Sequence, residues 1–321
     1  MTYGRTRHHA ERVFAVATDS SAAARSAIAA SWVRSLNDYG LDPESPRRPE
    51  RVEQARLDEA RDRFALMLQA AEPALDRLFE AVGNSGCCIL LTDHEAIPLA
   101  RRGAPSDDDG FQRAGLWTGM VWDEAREGTN GIGTALAESR ALTIHRDQHF
   151  FTQNTNLTCT AAPVYDHEGR LAGVLDVSSY RRDLDSAMVS LIGNAVGEAA
   201  RRIEAAHFRR MFNGARILLG PEPDRDAGAL LAVDHDDLVI GATRAARRLY
   251  GISGDRLAAG LPACTILNDA QEEDFLAAER GVVQRALARA DHNVSKAARS
   301  LGLSRATLHR KMNRLGLRKS D

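Results

Sequence analysis

Two successive α+β units followed by an all-α C-terminal helix-turn-helix are predicted for this 321-residue chain. Three observations predict it. Short apolar runs bounded by Gly, Asp and Asn alternate with helical stretches over residues 83–212. A shorter strand, turn, strand and helix pattern follows Pro221 and Pro223, and from Ala270 the text is helical to the end. With 44% hydrophobic and 27% charged residues, the chain suits two or three domains that each bury a core, and a disordered tail or collagen-like fibre is excluded.

An Ala-rich helical pattern over residues 22–36 stops at Tyr39-Gly40, and the proline-bearing stretch 42–49 reads as a linker. Residues 52–82 place Leu57, Ala60, Phe64, Met67, Leu68, Ala71, Leu75, Leu78 and Phe79 mostly at spacings of three or four, an amphipathic helix that Pro73 is expected to kink or divide. Residues 86–93, 141–145, 157–165 and 171–177 read as buried strands. A short helix at 132–138 follows the Gly128-Thr129-Asn130-Gly131 turn, and a hairpin turn at 166–169 joins the last two strands.

A long helix returns over residues 184–212, with Leu184, Met188, Leu191, Ile192, Ala195, Ala199, Ile203 and Ala206 on one side. It can cover the sheet, or it can pair with its own copy as a signalling helix in a dimer. Strands at 228–234 and 238–243 and a helix at 244–250 make the second unit, which is small for an independent core.

Near the C-terminus, residues 275–290 form one helix with Phe275, Ala278, Val282, Ala286 and Ala290 on a stripe. Asn293 caps a second helix, 294–301, whose Val294, Ala297, Ala298 and Leu301 face inward. Gly302 supplies a left-handed turn, Leu303 fills the core, and Ser304 caps the third helix, 305–315. At 100° per residue, Leu308, Met312 and Leu315 share one stripe, and Ala306, Arg310 and Asn313 lie opposite.

A recognition helix needs small residues at base edges, here Ala306 and Thr307, and an arginine able to reach guanine with two bonds, here Arg310. Lys296, Arg305, Lys311 and Arg314 stand where phosphates would be neutralised. With Ser304 at the helix start, these make the expected DNA-contacting set.

Net charge is −2, which alone argues against nucleic acid, but the average conceals a polarised chain. Residues 292–321 hold eight basic residues, Arg318 and Lys319 among them, against the single acid Asp321. That is +7, and the first 291 residues carry −9. A charge run is usually a solvated helix face; here the core stripe, turn glycine and small groove-facing residues agree in register with it.

All three lysines, Lys296, Lys311 and Lys319, lie in that final stretch and none follows a glycine, so the sequence contains no Walker-type phosphate loop. The four cysteines show no zinc-site spacing, the N-terminal apolar run is too short for a secretory signal, and no window approaches a membrane span; a reduced cytoplasm is expected.

Several segments together resemble the acetoin catabolism regulators, GAF-containing members of the sigma-54-dependent enhancer-binding proteins. They are Ser31-Trp32-Val33-Arg34-Ser35 with Tyr39-Gly40-Leu41-Asp42-Pro43; Gly115-Leu116-Trp117 through Trp122; Glu127 through Ala135; His149-Phe150; Leu157 through Pro163; and Gly173 through Ser178. Leu230 through Asp234 with Ala242 through Gly251 resembles the start of the family's PAS domain, and Asn293 through Leu317 resembles a Fis-type helix-turn-helix.

The resemblance implies a GAF sensor, a partial PAS-like unit and a Fis-type DNA-binding domain; with the elements above, this gives an N-terminal helical segment and proline-bearing linker at 1–57, the GAF sensor at 58–183, a signalling or dimer helix at 184–212, the partial PAS-like unit at 213–268 and the Fis-type domain at 270–321. Family members place an AAA+ ATPase between the last two, where this chain leaves no room for one. ATP-driven activation is therefore not expected.

The same resemblance makes Trp117, Trp122, Asn130, Thr158 and Cys159 candidates for an effector pocket, although a buried tryptophan is more often core and Asn130 is most simply a turn residue. His145 and His149 with Cys159 have two metal-ligand residue types, but they straddle a strand end rather than one helical face. Cys87, Cys88 and Cys159 offer a redox reading with no basic neighbour evident to activate a thiol.

The expected protein is a non-enzymatic, dimeric, effector-responsive regulator without cofactor or metal, whose partners are a two-fold DNA operator, a small molecule, and RNA polymerase or an ATPase-bearing relative. Mixed dimerisation with such a relative, or a thiol redox activity, are the alternatives.

Overall fold

The computed structural model describes residues 2–18, 21–45, 47–82, 86–220, 228–266, 275–290 and 292–317, excepting the side chains of 2–7 and 275–278. Expectations placed on Pro46, Gly83, Pro221, Pro223, Ala270, Arg318, Lys319, Asp321 and the side chains of Phe275 and Ala278 lie outside these residues. The chain divides into two units, Met1–Leu261 and Pro262–Asp321.

The larger unit is built on a five-stranded sheet of order β2-β1-β5-β4-β3, formed by β1 (Cys87–Thr92), β2 (Pro98–Gly103), β3 (Leu142–His145), β4 (Thr158–Tyr165) and β5 (Leu171–Ser179). Every pairing is antiparallel. Because strand side chains alternate, the sheet presents two chemically different faces. Ile89, Leu91, Leu175 and Val177 pack with Met67, Leu75, Ile192 and Val196. Cys88, Leu90, Val174 and Cys159 point the other way, toward Phe111, Trp122 and Ile132.

Two helices clamp the first face: α5 (Ala65–Val82) and α9 (Ser186–Met211). The break that Pro73 was expected to cause falls at Phe64 instead, between α4 (Gln54–Arg63) and α5. Pro73 removes one helical donor, but Ala71, Ala74 and Leu75 around it are buried in the core, and that packing carries the helix through. In α9, Asp185 caps the start, Ile192, Val196 and Ile203 are buried, and Met188 and Leu191 remain 42% and 63% exposed.

Strand β2 was not anticipated, since its Arg101 and Arg102 hide a strand pattern; pairing with β1 imposes it, with Leu90 opposite Arg101. Helix α1 (Thr2–Thr18) lies in the N-terminal segment expected to be helical, but its bounds and its role were not anticipated. With α2 (Ala22–Arg25) and α3 (Ala27–Val33) it forms a layer in which Val13 and Trp32 pack on Phe150 and Phe151.

The proline-bearing stretch expected to be a linker joins, with the residues up to Val52, a strap held to the domain. Thr152 N–H donates to Pro43 O at 3.0 Å, Val52 N–H to Gly119 O at 2.9 Å and Val121 N–H to Glu50 O at 2.8 Å.

The second face is covered by α6 (Asp108–Arg113), α7 (Glu124–Glu127) and α8 (Gly131–Glu138). After α9, β6 (Arg216–Leu219), β7 (Leu230–Val233) and β8 (Leu238–Ala242) form an antiparallel sheet followed by α10 (Arg244–Tyr250) and α11 (Gly254–Ala258). Strand β6 was not foreseen. Phe208 at the end of α9 packs with Leu230 and Ala232, so this small sheet borrows core from the long helix.

The smaller unit contains α12 (Ala263–Ile266), α13 (Phe275–Arg289), α14 (Val294–Ser300) and α15 (Arg305–Arg314). Its core comprises Val283, Leu287, Val294, Ala297, Leu308 and Met312 with their neighbours. Of the expected stripe, Ala286 and Ala290 are buried, and Val282, 44% exposed, gives way to the buried Val283. Val283, Ala286, Leu287 and Ala290 keep the spacing of three and four that a helix needs.

Truncating Leu75 to Ala should cost about 2–5 kcal/mol in chemical denaturation, and Leu66→Ala, at a 49% exposed position of the same helix, should change stability by less than about 0.5 kcal/mol. Equal losses would refute the assignment of the α5 core face.

Candidate nucleic-acid interface and buried sensor cluster

In the smaller unit, Asn293 Oδ1 accepts from Lys296 N–H at 3.1 Å and starts α14. Gly302 has φ +66°, a left-handed conformation that a side chain would strain. Ser304 Oγ then accepts from Thr307 N–H at 3.1 Å and starts α15. The result is two short helices joined by a fixed turn, with Leu308 and Met312 facing inward and Ala306, Arg310 and Asn313 exposed.

Of the expected contact set, Lys296, Ser304, Arg305, Ala306 and Arg310 are exposed, and Thr307 is half-buried with its hydroxyl 2.8 Å from that of Ser304. Lys311 and Arg314 are engaged within the protein, both with Glu279 of α13.

In the larger unit, the structure separates the five effector candidates. Trp122 is buried, and its indole N–H donates to Gly115 O at 2.7 Å. Asn130 caps α8: Oδ1 accepts from Gly133 N–H at 2.8 Å and Nδ2 donates to Gly128 O and Trp122 O. Both side chains are therefore committed to the fold. Thr158 and Cys159 are adjacent on β4 and point to opposite faces, so they cannot line one pocket. Thr158 hydrogen-bonds His145 Nδ1 at 3.0 Å, which also turns His145 away from Cys159.

Cys159 and Trp117 remain, and they stand at two ends of a polar cluster that the sequence did not single out. Arg101, Leu90, Asp176 and Ala161 form one row across the sheet, with Cys88, Ser178 and Cys159 in a neighbouring row. Ser178 Oγ–H donates to Asp176 Oδ2 at 2.6 Å, and the same hydroxyl is 3.1 Å from Cys159 Sγ. The Arg101 guanidinium lies 4.1 Å over the Trp117 ring and 2.6 Å from Asp108 Oδ1. Among the described residues no hydrogen bond reaches Asp176 Oδ1 or Arg101 Nε, although both are buried. Leaving such groups unsatisfied costs about 1–3 kcal/mol each.

His149 fixes the far wall. Its Nδ1–H donates to Arg146 O at 2.9 Å, which leaves Nε2 to accept from the Cys159 thiol at 3.3 Å. Outside it, His9 of α1 donates from Nε2 to His149 O at 3.1 Å and accepts at Nδ1 from the Thr152 hydroxyl. Burial drives the His149 imidazole down to about 4 and raises the Cys159 thiol, so the pair is neutral and is not a thiolate–imidazolium couple. Burial likewise pushes Cys88 up to about 12.

A separate cleft of about 430 Å³, lined by Tyr39, His94, Glu95, Asp123, Arg126 and Leu136 among others, contains none of the five candidates.

Burial raises the Asp176 carboxyl to about 7 from an ordinary 3.8, against the opposing pull of the Ser178 bond. The folded state therefore holds this proton more tightly than the unfolded chain. The stabilisation is complete below about pH 4 and is lost as pH climbs toward 7. Replacing Asp176 with Asn should remove that dependence. Between pH 5.5 and 8, the stability of Asp176→Asn relative to the parent should improve by about 2 kcal/mol, measured by denaturant titration; a pH-independent difference would contradict a buried protonated carboxyl.

Residues 5–201 match the family model described as MimR, N-terminal domain, and residues 276–315 match that of the bacterial regulatory proteins of the Fis family. The acetoin catabolism regulatory protein of Cupriavidus necator is 34% identical over 250 residues, which are 76% of this chain and 37% of that protein. The acetoin dehydrogenase operon transcriptional activator AcoR of Bacillus subtilis is 32% identical over 185 residues, 58% of this chain and 30% of the activator. The chain thus spans only about a third of the length of these relatives. Among solved structures, the crystal structure of the E. coli DhaR(N)-DhaL complex aligns with a TM-score of 0.53 at 20% identity, covering 71% of this chain and 77% of that one, a likeness of fold. Since its first domain match takes in more than half of the sequence, the chain belongs to the MimR N-terminal-domain family.

Proposed function

We propose that the protein is a sequence-specific DNA-binding transcription regulator of the cytoplasm that works without ATP-driven remodelling of polymerase and is controlled by a small molecule in its larger unit. The observation that carries this reading is the exposed face of α15, where Ala306 and Arg310 stand clear of a packed core in a segment that matches the Fis family.

Sensing is assigned to the second face of the five-stranded sheet, taken as a GAF-type fold. The unsatisfied Asp176 carboxyl and Arg101 guanidinium offer two polar anchors to an effector there, with Trp117 and Cys159 as neighbours. The small sheet that follows is taken as a partial PAS-like unit. Effector control requires that the effector bind two states of the protein with different affinity, and α9, which packs on the sheet and runs on to the small sheet, is the element suited to report the difference. Two copies acting together would read a two-fold operator.

The exposed Met188 and Leu191 of α9 favour a second reading, in which the chain forms mixed dimers with an ATPase-bearing relative and tunes it. Recovery of the protein from cells with only its own copies would count against that role. A thiol redox enzyme receives no support from buried cysteines whose thiols are held protonated.

On a duplex recovered by in vitro selection, Arg310→Ala should cost about 1–3 kcal/mol of binding and relax preference at one base pair, read by fluorescence anisotropy against single-base variants. Unchanged affinity and preference would remove Arg310 from the interface.

A further inference from the structure

The helix-turn-helix carries cations of two kinds. Lys296, Arg305 and Arg310 are exposed and make no ion pair among the described residues. Lys311 and Arg314 are held from beneath by Glu279, on α13: Lys311 Nζ donates to Oε1 and Arg314 Nη2 to Oε2. The Glu279 side chain is only 12% exposed, against 32% for Lys311 and 55% for Arg314, so the carboxylate lies under its partners rather than beside them in solvent.

Two charge-assisted bonds to one carboxylate fix direction as well as charge. They also join α13 to α15. A phosphate that took Lys311 or Arg314 would have to displace the carboxylate or approach it, and the approach sets like charges together.

We propose that Glu279 is an internal counterion of the recognition helix, a positioning residue that withholds Lys311 and Arg314 from DNA phosphates and leaves that contact to Lys296 and Arg305. The inference rests on the DNA-binding reading above. It also revises the phosphate set expected from sequence, in which Lys311 and Arg314 counted equally with the exposed cations. Glu279 thereby limits sequence-independent attraction to DNA and leaves base contacts a larger share of the binding.

Non-specific binding reports phosphate contacts directly, because each one steepens the dependence of log affinity on log salt by about 0.9. The full chain, Glu279→Gln, Arg314→Ala and the double variant would be titrated onto a fluorescein-labelled 30-base-pair duplex of random sequence across a range of KCl concentrations. Glu279→Gln should bind several-fold tighter at low salt, with a slope steeper by about one to two. Arg314→Ala alone should leave the slope unchanged, and added to Glu279→Gln it should remove about one unit of the gain.

A slope unaltered by Glu279→Gln, in protein whose circular dichroism and melting temperature match the parent, would overturn the proposal. So would a slope reduced by Arg314→Ala alone, because that arginine would then already touch phosphate. If the parent chain shows no salt-dependent binding at all, the DNA-binding reading fails first, and this inference falls with it.

Discussion

The larger unit depends on burial of β5 along both of its faces. A strand at the centre of a five-stranded sheet alternates its side chains between two interiors, and here the two differ in kind. Leu175 and Val177 join an apolar layer closed by α5 and α9. Asp176 and Ser178 enter a layer of mixed polarity under α8, where a carboxyl without a full set of partners keeps its proton. A Cβ at Gly131 would stand 2.5 Å from Asp176 Oδ1 and 2.6 Å from the Cys159 Cβ, so glycine is what lets the start of α8 lie on this layer. The helix, its Asn130 cap and the buried acid form one arrangement.

The N-terminal helices are part of that arrangement. Ser31 Oγ–H donates to Glu124 Oε2 at 2.7 Å and lies 2.6 Å from the Thr129 hydroxyl, and Arg34 Nε donates to Glu124 Oε1 at 2.6 Å. These bonds tie α3 to α7 and to the turn that starts α8. On the other side, His9 holds the loop whose His149 accepts from Cys159. A chain of contacts therefore runs from α1 to the floor of the polar cluster. The family match from residue 5 to residue 201 spans the same elements, in keeping with one folding unit rather than a sensor with an appended arm.

Much of this was legible in the sequence because local chemistry and tertiary packing agree. The four apolar strands, the long helix and the helix-turn-helix with its Asn293 and Ser304 caps follow from periodicity and capping residues. Where packing overrides propensity, the sequence was silent. Strand β2 is held by its neighbour despite two arginines, and the strap is held at Pro43, Glu50 and Val52 by backbone bonds to segments far along the chain. The sensor cluster was the least legible part. Arg101 and Asp176 are 75 positions apart and come into one row, either side of Leu90, only through strand register, while the conspicuous Trp122 and Asn130 are absorbed by the fold. Glu279 was invisible for the same reason: its partners lie two helices away.

A nearly neutral net charge conceals an acidic body, −9 over the first 291 residues, and a basic end, +7 over residues 292–321. The larger unit holds buried polar groups suited to a small molecule, and the smaller unit presents a helix face suited to a DNA groove. The most direct test is duplex binding by the full chain compared with a chain ending at residue 291. Affinity for a selected operator should fall to background when residues 292–321 are removed, with the larger unit still folded by circular dichroism. Undiminished affinity in the shortened chain would contradict the assignment of the reader to its C-terminal helices.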